Sequence, residues 1–129
     1  VEFHDSFEIN IAITPMIILL GRYEDIIDGK YDSKNLISFF VPKGTVIKIN
    51  PKVLHFSPFK VDSNGFKCGV ILPYGTNMEF IKKTDSNIDD NYCLFKTKKW
   101  LLAHQEYDNG IANGAYVGLM GENTKIKHI

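Results

Sequence analysis

The chain has 129 residues, 44% of them hydrophobic and 23% charged, with 15 Lys and Arg against 15 Asp and Glu for a formal net charge of +0. That length and composition belong to one globular domain able to bury its own core, and they exclude disordered, fibrous and disulfide-scaffold classes. A balanced charge also removes the global field that draws proteins to nucleic acid or anionic membranes, so neither is an expected partner.

The chain opens VEFHDSFEIN. Side chains alternate between faces along an extended strand, so Glu2, His4, Ser6, Glu8 and Asn10 share one face, while Phe3, Asp5, Phe7 and Ile9 share the other. On an exposed sheet such a stripe is merely solvated. Inside a barrel, two acids and an imidazole need a metal or a proton network to offset their desolvation. The runs FEINIAIT, MIILLGRYE, NLISFFVP, GTVIKIN, FKCGVILP, YCLFK and GAYVGLMG follow, short and rich in Ile, Val, Phe and Tyr. Turn chemistry in DGKYDSKN, DSNG and KTDSNIDDN separates them, the last being the best candidate for a mobile loop. This pattern predicts an all-β sandwich or barrel in a single domain over 1–129, with Ile9, Ile11, Ile13, Phe39, Val46 and Val70 in its core. Only TKKWLLAHQEYDN offers helical periodicity, and Trp100-Leu101-Leu102 reads equally as strand.

Pro15 interrupts the apolar run IAITPMIILLG, which is too short for a bilayer span and lacks the basic flank of a signal peptide. Cys68 and Cys93 show neither a CxxC motif nor zinc-ligand spacing to histidine. They read as buried free thiols of a cytoplasmic protein, a single bridge being the alternative. The lysine clusters at Lys82-Lys83 and at Lys96, Lys98 and Lys99 read as solvated faces.

In FFVPKGTVIKINPKVLHFSPF, Pro42 and Gly44 mark a tight turn, Thr45 to Asn50 alternate as a half-buried strand, and His55 follows between Leu54 and Phe56. Together, EFHDSFE and VPKGTVIKINPKVLHF resemble the two metal-binding motifs of the cupin superfamily of small jelly-roll barrels. Glu2 stands where the first motif has its first His, His4 and Glu8 match its second His and its Glu, Pro42 and Gly44 match the second motif's turn, and His55 matches its His. The chain departs from the pattern in having Glu at the first position and a longer gap between Gly44 and His55. The phrases GFKCGVILPYGTN, KKWLLAHQE and AYVGLMGEN are also similar to a small bacterial cupin-like family of unknown function linked to carbohydrate metabolism.

The resemblance implies a cupin-type jelly-roll holding one divalent ion (Mn, Fe, Ni or Zn) on Glu2, His4, Glu8 and His55, since such ions accept imidazole and carboxylate together. Glu2 and Glu8 become the candidate catalytic proton carriers. Lys99, Trp100, His104 and Tyr116 are candidates for the substrate pocket, although a histidine in LLAHQE is commonly structural, the aromatics are commonly core, and His128 reads as solvent-exposed. Two function classes stay open. One is a metal-dependent enzyme on a small polar metabolite, a sugar or sugar-phosphate isomerase or epimerase; the other is a non-catalytic carbohydrate-binding or structural cupin. A ureidoglycolate-type lyase is weaker, because Arg22 is the only Arg available to clamp a carboxylate. Because the chain opens inside the motif strand, residues before Val1 are expected to add at least one strand. An edge left unpaired would favour a homodimer.

Overall fold

The computed structural model describes residues 1–79 and 90–127. Lys82, Lys83, His128 and most of KTDSNIDDN lie outside the described residues. The short apolar runs form strands: β1 (Glu2–Phe3), β2 (Glu8–Ala12), β3 (Met16–Arg22), β4 (Tyr31–Asp32), β5 (Ile37–Val41), β6 (Val46–Ile49), β7 (Val53–His55), β8 (Phe59–Lys60), β9 (Cys68–Ile71), β10 (Leu94–Lys96), β11 (Lys99–His104) and β12 (Tyr116–Met120). A curled sheet runs in the order β4-β12-β11-β1-β7-β3-β5, with β10 beside β11 and β8 beside β3, and β6-β2-β9 form a second sheet. The pairings are antiparallel except those of β12 with β11 and β4. The fold is all-β and jelly-roll-like, a curled half-barrel facing a small sheet.

Trp100-Leu101-Leu102 resolves as strand because β11 is flanked by β1 on one side and by β10 and β12 on the other, and is buried on both faces. A continuous apolar run is what such a position requires. Among the described residues, α-helix occurs only in the next segment, α1 (Asp108–Ala112), beside short 3₁₀ turns at Tyr23–Asp25, Ser33–Asn35 and Asn91–Cys93. The turn expected at Pro42 and Gly44 joins β5 to β6, with Thr45 N–H donating to the Pro42 carbonyl at 3.2 Å and Gly44 at φ +85°, a conformation open to glycine at little cost.

Register divides the curled sheet into two faces. On the concave face, Glu2 lies directly across from Leu101 and His55, and His55 across from Leu20. Further along, Met16, Ile18 and Val41 pack against Ala12 and Ile49 of the small sheet to close one core. On the opposite face, Phe3 pairs with Trp100, and these two join Leu54, Leu102, Tyr31 and Cys93 in a second core. The Phe3 and Trp100 rings stack with centroids 5.6 Å apart. Gly21 is a glycine on this face for a steric reason: a Cβ there would lie 2.5 Å from the Tyr31 hydroxyl, a close approach that strand glycines commonly mark.

The expected core needs correction. Ile9 and Ile11 are only half-buried, and Ile13, Phe39, Val46 and Val70 are exposed by 50%, 46%, 62% and 52%. The reason lies in β2, which turns Glu8, Asn10 and Ala12 inward and its isoleucines outward. Phe39, Val46 and Val70 sit on β5, β6 and β9, the end strands of their sheets. Cys93 is buried, Cys68 is half-buried, and both are free thiols. No helix among the described residues is long and apolar enough to cross a membrane.

Replacing the fully buried Leu54 by Ala should cost about 2–5 kcal/mol of unfolding free energy. Ile13→Ser, on the outer face, should stay within about 0.5 kcal/mol of the parent. Urea unfolding of the two variants checks this division of faces.

Candidate metal centre

Alternation in β1 separates the two roles of EFH. Phe3 points into the rear core, and Glu2 and His4 point toward the small sheet. The end of β1 is held by Lys52 N–H donating to the His4 carbonyl at 2.9 Å, from a turn in which Lys52 adopts φ 63° just before β7. That turn delivers His55 to the position across from Glu2. From the other sheet, β2 presents Glu8 on its inward face.

Four donor atoms meet there. Glu8 Oε2 lies 3.2 Å from His55 Nε2 and 3.4 Å from His4 Nε2, while Glu2 Oε1 lies 3.8 Å from His4 Nε2 and 4.0 Å from His55 Nε2. The imidazole centroids are 5.2 Å apart. All four residues are buried, none exposing more than 8% of its surface. Both rings are oriented from behind: His4 Nδ1–H donates to the Lys98 carbonyl at 3.0 Å, and His55 Nδ1–H to the Val53 carbonyl at 2.9 Å. With Nδ1 bound to a carbonyl, the neutral ring turns its Nε2 lone pair into the site, the usual arrangement behind a metal-ligating histidine. His4 Nε2 is buried and has no aligned hydrogen-bond partner. An orphaned lone pair facing carboxylate oxygens requires either a proton or a cation between them. Glu2, His4 and His55, whose donor atoms lie within 4.8 Å of one another, could hold a metal ion. Glu8 Oε2 faces the same imidazole nitrogens.

Each carboxylate has a further partner. Glu8 Oε1 accepts from Asn10 Nδ2 at 2.7 Å, and Glu2 Oε2, which has no aligned hydrogen-bond partner, is in ion-pair contact with Lys99 Nζ at 2.5 Å. Lys99 is thus beside the cluster. The other three pocket candidates are elsewhere. Trp100 stacks on Phe3 in the rear core, since its place on β11 is one residue out of phase with Leu101. His104 lines a separate cavity that none of the four donors lines, its Nε2–H donating to the Gly121 carbonyl and its Nδ1 accepting from Glu106 N–H. Tyr116 packs edge-on against Tyr92 and under the Lys30 ammonium. Asn10 was legible only as a member of the polar stripe, and the carbonyls of Val53 and Lys98 carry no signal in side-chain identity.

Residues 1–124 match the family model described as a domain of unknown function, DUF4867. The chain belongs to this family. No curated protein and no solved structure matches it. For this DUF4867 chain, the cupin resemblance rests on the two motifs and on a curled half-barrel that is compatible with a cupin-like fold.

Burial opposes protonation of His4, but Glu8, the Lys98 carbonyl and Glu2 outweigh it and raise the pKa above 6.5. Glu8 is likewise opposed by burial, yet His4, His55 and Asn10 hold its carboxyl far below the usual carboxylate range. In metal-free protein, the His4 contribution to stability is complete below pH 6.5 and lost as pH rises through the raised value. The Glu8 contribution is complete above pH 4.5 and lost as pH falls. Melting temperature should therefore peak between these limits in chelator-treated protein, and Glu8→Gln should flatten both flanks. A parent profile rising steadily above pH 7 would contradict the assignment.

Proposed function

We propose that this DUF4867 chain binds one divalent ion (Mn, Fe, Ni or Zn) through Glu2, His4, Glu8 and His55 and acts on a small polar metabolite. Sugars and sugar phosphates undergoing isomerisation or epimerisation are the first class to test. The observation that carries this reading is the buried meeting of two carboxylates with two imidazoles whose Nδ1 atoms are already committed to backbone carbonyls. A bound ion would supply Lewis-acid polarisation of a carbonyl or a hold on adjacent hydroxyls. The residues supply the rest. A carboxylate of Glu2 or Glu8 takes the proton from the carbon beside the carbonyl; for isomerisation it returns that proton to the former carbonyl carbon while the neighbouring hydroxyl proton passes to the carbonyl oxygen, and for epimerisation the other carboxylate protonates the opposite face of the same carbon. The low-dielectric interior strengthens each charge interaction in these steps. The substrate class itself is supported by the family resemblance alone.

One observation favours a second reading, that of a non-catalytic metal-binding module. The donors are deeply buried, and the apolar cavity of about 270 Å³ is lined by Leu19, Phe56, Phe59, Leu101, His104 and Leu119 rather than by them.

Incubating metal-reconstituted protein with pentoses, hexoses and their phosphates in deuterated water distinguishes the two. The enzymatic reading expects solvent deuterium at the carbon beside the carbonyl, reduced about 10²–10⁴-fold in Glu8→Gln and lost in His55→Ala. Stoichiometric metal without exchange on any sugar selects the module, and failure to bind any of the four metals ends both.

A further inference from the structure

The two carboxylates share an asymmetry. In Glu8, Oε2 faces the imidazoles while Oε1 is held by Asn10 at 2.7 Å; in Glu2, Oε1 faces them while Oε2 is held by Lys99 at 2.5 Å. Neither outer partner is free to wander. Asn10 is 1% exposed, and its amide is oriented by Cys68, whose thiol donates to Oδ1 at 3.3 Å, so that the NH₂ end turns toward Glu8. The reverse orientation would set a carbonyl oxygen against a carboxylate oxygen. Lys99 lies two residues from Leu101, the residue directly across from Glu2, and therefore on the same face. The hydrogen bond from Asn10 turns Glu8 by a charge-assisted contact, and the Lys99 ammonium turns Glu2 by direct ion pairing in a buried setting.

We infer that Asn10 and Lys99 are positioning residues that restrict Glu8 and Glu2 to one oxygen each toward the cation. This inference rests on the metal reading proposed above. A carboxylate without such an anchor can rotate and offer both oxygens, taking up places that an outside ligand would otherwise use. Asn10 and Lys99 thus reserve room for that ligand without touching it.

Cobalt(II) supplies the test, because its visible spectrum reports coordination, and azide serves as the outside ligand. In the parent, azide should shift the cobalt spectrum. In Asn10→Leu, which keeps the side-chain shape, and in Lys99→Met, cobalt affinity should fall about 10–100-fold and the azide shift should vanish. Lys99→Arg should restore both, which a role in packing alone would not produce. If Asn10→Leu does not fold, the Lys99→Met and Lys99→Arg pair decides. Variants that bind cobalt with parental affinity and respond to azide as the parent does overturn the inference and leave the metal reading standing. A parent that binds no cobalt overturns both.

Discussion

Two carboxylates and two imidazoles buried against one another are the constraint on which the rest of this structure depends. Taking ionised groups out of water costs several kcal/mol each unless a compensating charge and hydrogen bonds are in place. Here the compensation is assembled from both sheets. β2 brings Glu8 and Asn10, β1 brings Glu2 and leads into His4, β7 brings His55, and β11 brings Lys99. One ammonium against two carboxylates leaves negative charge uncompensated, which a divalent cation or protonated imidazole can meet.

This demand explains the unusual use of β2. A strand reading EINIA would ordinarily bury its isoleucines, and the alternation is clean enough to suggest that the apolar face is the inner one. The structure does the opposite, because the inward face is where Glu8 and Asn10 have partners. The hydrophobic free energy that this face forgoes is recovered elsewhere. Behind the curled sheet, Trp100, Phe3, Tyr31, Leu54 and Leu102 form a dense apolar layer, and between the sheets Met16, Ile18, Val41, Ala12 and Ile49 form a second apolar cluster. β5, the end strand of the curled sheet, carries Ile37, Phe39 and Phe40 exposed.

Much of this was legible in the residues. Strand runs separated by Asp, Asn, Gly and Pro announce an all-β chain, and the even spacing of Glu2, His4 and Glu8 places them on one face before any partner is known. The bend after His4 that lets His4 meet Glu8 across two sheets was not legible, since it depends on Lys52 reaching back to the His4 carbonyl. Nor could periodicity tell which face of β2 is inner, because alternation states that two faces exist and not what covers them. Trp100 misled for a related reason: it neighbours Lys99 in sequence but occupies the other side of the strand. His104 sits in an apolar context that suits a pocket wall and does line a cavity, but not one at the polar cluster, and both its ring nitrogens are engaged by backbone groups, at Gly121 and at Glu106.

The central claim is that the inward polar face of β1, β2 and β7 is a cation site rather than a proton network. Anomalous diffraction from crystals grown with manganese or zinc, recorded on either side of the metal's absorption edge, tests it most directly. The account predicts a single strong peak about 2.0–2.3 Å from Glu2 Oε1, His4 Nε2, Glu8 Oε2 and His55 Nε2. Full-occupancy metal found only at other residues, with the His4 and His55 nitrogens still facing carboxylate oxygens at hydrogen-bond distance, would contradict it.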